Sequence, residues 1–125
     1  MPAQIGKRVW VIAEGYIPAS SRGPAPEMTS HETACILNTG SAPARVSITI
    51  YYEDRDPVGP YQLVVAGRRT LHLRFNALAD PEPIAPGVPF ASVIESDAPI
   101  VVQHTRLDSR QAENALMTTM AYPAD

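Results

Sequence analysis

The run Ala44-Arg45-Val46-Ser47-Ile48-Thr49-Ile50-Tyr51-Tyr52 decides the fold class. Val46, Ile48, Ile50 and Tyr52 fall on one side of an extended chain; Ser47, Thr49 and Tyr51 fall on the other. Strict alternation of this kind is the mark of a strand with one face buried and one face wet. Arg69 to Phe75 repeats it, with Leu71, Leu73 and Phe75 opposite Thr70, His72 and Arg74.

Working outward, the other segments fit the same class. Lys7 to Ala13 is β-branched and apolar on both faces, which predicts a strand buried on two sides. Glu32 to Asn38 and Tyr61 to Val65 are further strands. Phe90 to Ser96 and Ile100 to Leu107 read as two strands joined by a tight hairpin at Asp97-Ala98-Pro99. Turn chemistry separates the runs at Thr39-Gly40-Ser41, Glu53 to Pro60 and Ala66-Gly67. Ile17 to Met28 and Ala77 to Pro89, both rich in proline, are long loops. The tail is balanced. Asp108 with Gln111 resembles a capping box, and Ala112, Leu116 and Met120 keep helical spacing. The threonines and tyrosine between Leu116 and Tyr122 tip it toward an irregular connection followed by a last strand.

Seven or eight short strands with turn signals between them, and no alternation of strand with helix, predict an all-β, antiparallel β-sandwich. The 125 residues make one domain, 1–125. A chain of this size buries about two-thirds of its unfolded surface, enough for a core without staples. Thirteen prolines leave little room for long helices. The one cysteine, Cys35, lies in an apolar run and reads as a small core residue in a reducing compartment. No run reaches the roughly 18 apolar residues of a membrane span. The start, Met1-Pro2-Ala3-Gln4, has no secretory character, so the cytoplasm is the expected location. Ten basic residues against 13 acidic give −3, which argues against a nucleic-acid domain.

No phosphate loop, nucleophile elbow or cysteine zinc motif is present, so no enzyme activity and no cofactor are expected. Polar residues nevertheless gather. Glu14-Gly15-Tyr16 leads into the first long loop, and Ser30-His31-Glu32 leaves it. His104, Arg106 and Asp108 share one strand face directly after an apolar start, with Arg110 beyond. Glu14, Tyr16, His31, Glu32, His104, Arg106, Asp108 and Arg110 therefore form a candidate ligand site for a small anionic or hydroxylated molecule. A buried ion-pair network is the competing reading of the same residues. His31 and His104 lack the tight spacing of metal ligands, so no metal is assigned. A second candidate is the stiff, charged turn bracketed by Tyr51, Tyr52, Arg55 and Tyr61. Tyrosine and arginine enrich binding hot spots. Packing of the tyrosines on the neighbouring prolines is the bland alternative, and the favoured one.

The chain resembles the soluble sensory rhodopsin transducer family, whose namesake is cyanobacterial. The resemblance runs from Ile5 to Tyr122 and rests on Ala13-Glu14-Gly15-Tyr16-Ile17-Pro18, Ser30-His31-Glu32-Thr33, Ile50-Tyr51-Tyr52, Pro57-Val58-Gly59-Pro60-Tyr61, Arg74-Phe75-Asn76 and, above all, the unbroken run Val101 to Leu116. Ala19-Ser20-Ser21-Arg22-Gly23 departs from the family pattern. The resemblance implies a cytoplasmic homotetramer and a non-enzymatic adaptor that docks on a membrane photoreceptor, a sensory rhodopsin. Members also resemble carbohydrate-binding sandwich domains, which implies, as the alternative, a module for a sugar or sugar acid.

Overall fold

The computed structural model describes residues 4–26 and 28–125. Eight strands follow one another: β1 (Lys7–Tyr16), β2 (His31–Asn38), β3 (Ala44–Tyr52), β4 (Val58–Val65), β5 (Arg69–Arg74), β6 (Pro89–Asp108), β7 (Ala115–Met120) and β8 (Tyr122–Pro123). A single 3-10 turn at Phe75–Ala77 is the only helical element among the described residues. All pairings are antiparallel. This is the expected β-sandwich, and the tail resolves as strand β7.

The long β6 organises the molecule. Its first half lies between β3 and β1, in a sheet ordered β4-β3-β6-β1-β8. Its second half lies between β2 and β7, in a sheet ordered β5-β2-β6-β7. The expected hairpin at Asp97-Ala98-Pro99 does not form, because the halves of β6 never pair with each other. The chain bends there instead. A step from Val9 to Lys7 on β1 faces a step from Glu95 to Ile100 on β6, so the intervening residues bulge. Side chains satisfy the corner without reversing it. The Asp97 carboxylate accepts the Arg45 N–H at 2.8 Å, and Ser96 Oγ accepts the Ala98 N–H at 3.2 Å.

The inward faces of both sheets build one core from Trp10, Ile12, Ala34, Ile36, Val46, Ile48, Ile50, Tyr61, Phe75, Ile94, Ile100 and Val102, with neighbours. Phe75 and Phe90 meet edge to face at 5.6 Å. β1 is buried on one face, not two: Trp10 and Ile12 point in, while Val9 and Val11 are half-buried and Ala13 is exposed. That outer side is only half-buried, so β-branched character reported strand propensity there, not double burial. β4 begins at Val58, inside the expected turn. Ile48 pairs with Tyr61 but Ile50 with Val58, a bulge that carries the strand past Gly59 and Pro60. A side chain at Gly59 would sit 2.9 Å from the Ile48 carbonyl oxygen, so the close approach requires glycine. Cys35 is half-buried on the outer face of its sheet, opposite His72, and not in the core.

The first long loop is irregular, as expected, but well anchored. Ser21 Oγ accepts the Ser30 N–H at 2.7 Å, Ser30 Oγ donates to the Ser20 carbonyl, and the Arg22 N–H donates to the Ser109 carbonyl at 2.7 Å. Hydroxyls tie it down where apolar anchors are few.

Candidate functional site

Period-two geometry aims the even-numbered residues of β2 and of the second half of β6 into the sandwich. Glu32 and Arg106 are directly opposite across the two strands, and His104 lies opposite Ala34 on the same face. Glu32 is fully buried. A bare carboxylate there would be costly, and four bonds from three residues satisfy it. His104 Nε2 donates to Glu32 Oε2 at 2.9 Å, the Tyr16 N–H donates to the same oxygen at 3.3 Å, and Arg106 Nε donates to Oε1 at 2.6 Å. Arg106 NH2 reaches Glu32 Oε2 at 3.5 Å as well. The same guanidinium nitrogen donates to Glu14 Oε2 at 2.9 Å, where Glu14 stands in solvent at the end of β1. Burial works against the Arg106 charge, but its bonds to Glu32 and Glu14 outweigh that and hold its pKa above the ordinary value.

The structure thus brings Glu14, Glu32, His104 and Arg106 together. Tyr16 joins through its backbone, and its ring lies 5.7 Å from the Arg110 guanidinium. Asp108 and Arg110 form a separate fork on each other; the Arg110 bond is the main cause that holds the Asp108 carboxyl below the usual range. His31 does not join. It immediately precedes Glu32 on β2 and so points to the opposite face, where it lines a shallow outer hollow with Thr33, Cys35, His72 and Arg74. Its Nδ1 is held by the Thr29 carbonyl at 2.7 Å. Among the described residues no three His, Cys, Asp or Glu side chains group so as to hold a metal ion.

The tyrosine turn is largely internal packing. Tyr61 is buried, and its hydroxyl donates to the Glu82 carbonyl at 2.6 Å. Burial foremost, then Tyr52 and Glu82, raises the Tyr61 pKa. Tyr52 accepts the Ala85 N–H and carries the Arg55 guanidinium 5.0 Å from its ring, while Arg55 pairs with Glu82. Only Tyr51 displays its ring to solvent.

Several residues of the site's frame are not among the candidate ligand residues, although Ser30 stands in the Ser30-His31-Glu32 cluster. Asn76 donates to the Ser30 carbonyl and accepts the Glu32 N–H, pinning the start of β2. Ser30 and Ser109, both buried, bond each other at 3.0 Å, and Ser109 also donates to the Met28 carbonyl. A lone Ser or Asn after a turn carries no signal in sequence. Next to the network, a cleft of about 680 Å³ opens between β1 and β7, with Glu14 at its rim and His104 among its lining residues.

The sequence is matched from residue 5 to 123 by the family model described as Anabaena sensory rhodopsin transducer. The chain belongs to that family. A solved structure of the Anabaena sensory rhodopsin transducer is 63% identical, with a TM-score of 0.77, and the match covers 89% of this chain and 96% of that one. A Thermotoga maritima protein of solved structure is 37% identical, with a TM-score of 0.85, over 95% of this chain and 96% of that one. No curated protein matches at a significant level. The match thus extends over both sheets of this chain and spans Glu32 and Arg106.

Proposed function

We propose that the chain is a non-enzymatic signalling adaptor that works by contact with the cytoplasmic side of a sensory rhodopsin, and that it acts in the cytoplasm as a homotetramer. The single observation that carries this reading is the transducer match over nearly the whole chain, at 63% identity to the Anabaena protein. The site chemistry agrees with it. The buried charges bond one another, which stiffens a binding scaffold. No helix among the described residues is long and apolar enough to cross a membrane. Self-association is supported by β7, exposed at every residue and paired, among the described residues, with β6 alone. Leu116 on that strand is 73% exposed, and an open apolar edge strand is a ready interface.

The test is binding to a sensory rhodopsin held in lipid nanodiscs, in the dark and under illumination. Saturable binding that changes with light supports the adaptor reading. No binding in either state, with the rhodopsin photocycle unaffected, overturns it.

A further inference from the structure

The cleft between β1 and β7 lies where the edges of the two sheets part. Val11, Ile12 and Ala13 form one wall; Met117 and Met120 form the other, and both methionines stand substantially in water. His104 closes the bottom, its side chain only 5% exposed. Nε2 of that ring is committed to the Glu32 carboxylate. Nδ1 has no partner among the described residues. Nor is it sealed in: among the described residues, the enclosed side-chain polar atom without a partner is Ser92 Oγ. Nδ1 therefore opens on the cleft, a buried hydrogen-bonding atom at the foot of an apolar gap.

From this we infer that the cleft binds a small, neutral, largely apolar molecule carrying one hydroxyl group. The volume of about 680 Å³ lies within the range of small-molecule sites, apolar walls with few polar points are their usual lining, and methionine adapts to irregular shapes. The polar point is fixed by the network. A carboxylate only accepts, so Nε2 donates to Glu32 and Nδ1 is the ring atom left for a ligand. A hydroxyl is both donor and acceptor, so it pairs with Nδ1 in either role. Glu14 at the rim and Glu32 behind His104 repel an anionic ligand, and Arg106 is already occupied by both. The inference does not rest on rhodopsin binding, but it requires that self-association at the β7 edge leave Met117 and Met120 accessible.

The experiment is an NMR titration of the intact chain, labelled at methionine methyls and histidine nitrogens, with p-cresol, toluene and p-toluate. Saturable shifts at Met117, Met120 and His104 Nδ1 with p-cresol are expected. Toluene, the same body without the hydroxyl, binds roughly ten-fold more weakly, about one hydrogen bond's worth. p-Toluate does not bind. Because His104 substitutions risk unfolding, the site variant is Ala13→Leu on the exposed wall, which should weaken p-cresol roughly ten-fold while leaving the melting temperature in place. Equal affinity for toluene and p-cresol overturns the inference, as does an absence of saturable shifts. Methionine signals that follow protein concentration and not the probe also overturn it, because a second copy of the chain then fills the cleft.

Discussion

Glu32 and Arg106 carry the strongest local constraint. Removing Arg106 leaves the fully buried Glu32 carboxylate with only His104 and the Tyr16 N–H. Arg106→Leu is expected to cost about 3–5 kcal/mol, the usual penalty for breaking a buried pair from one side. Glu14→Ala touches the same guanidinium from solvent and is expected to cost less than about 1 kcal/mol. Urea denaturation of the two variants checks this; equal losses would show that Glu32 does not depend on Arg106. Much of this cluster was legible in sequence, because His104 and Arg106 sit two apart on a strand and Glu14 and Glu32 flank one loop. The error was His31. It is adjacent to Glu32 on β2, and the period of two that aims Glu32 inward must turn His31 outward. The rule that found Arg106 excludes His31 when applied to both strands. The open Nδ1 of His104 was not legible, since it depends on which ring nitrogen meets Glu32.

Among the elements, β6 shows what sequence punctuation does not determine. Asp97-Ala98-Pro99 has the composition of a turn, yet a turn's residues at a bulge let one strand serve two sheets. Whether such a triplet reverses the chain depends on neighbours distant in sequence, here Arg45 and β1. The short β8 is held in a similar long-range way. The Asp125 side chain accepts the Val9 N–H at 3.0 Å and the Arg8 N–H at 3.1 Å, and the Ala124 N–H donates to the Val9 carbonyl. The bond from Val9 is the main cause that holds the Asp125 carboxyl below its ordinary pKa, with that from Arg8 assisting. A depressed carboxyl stabilises the fold fully above its unfolded pKa, and the contribution is lost as pH falls through the folded value. The Arg8 and Val9 amide resonances should therefore titrate together in acid, with a midpoint below that of an ordinary aspartate. Asp125→Asn should abolish the step, and a step that survives the substitution would assign it to another group.

At the level of the molecule, alternation in β3 and β5 made the all-β class readable. The proline count excluded the helical alternatives, and the exposed loops followed from glycine, proline and serine. Assembly is a different matter, because a strand in an interface and a strand at a wet edge share one pattern. β7 illustrates this: Leu116, Thr118 and Met120 alternate with Ala115, Met117 and Thr119, yet every one of the six is exposed. Apolar residues on a strand that buries neither face are costly in a monomer, and a second chain is the simplest cover for the outer side. Leu116 lies opposite Leu107 at the far end of β7 from Met120, so it can be changed without touching the His104 cleft. Leu116→Lys should therefore convert the proposed assembly of four 13.5 kDa chains to smaller species in light scattering, with the buried Trp10 fluorescence unchanged. A charge placed there repels its copy in a symmetric contact and cannot be satisfied when buried. A tetramer that persists with Lys at this position would move the interface away from the β7 edge, onto the outer face around Leu37 or the solvent side of β1.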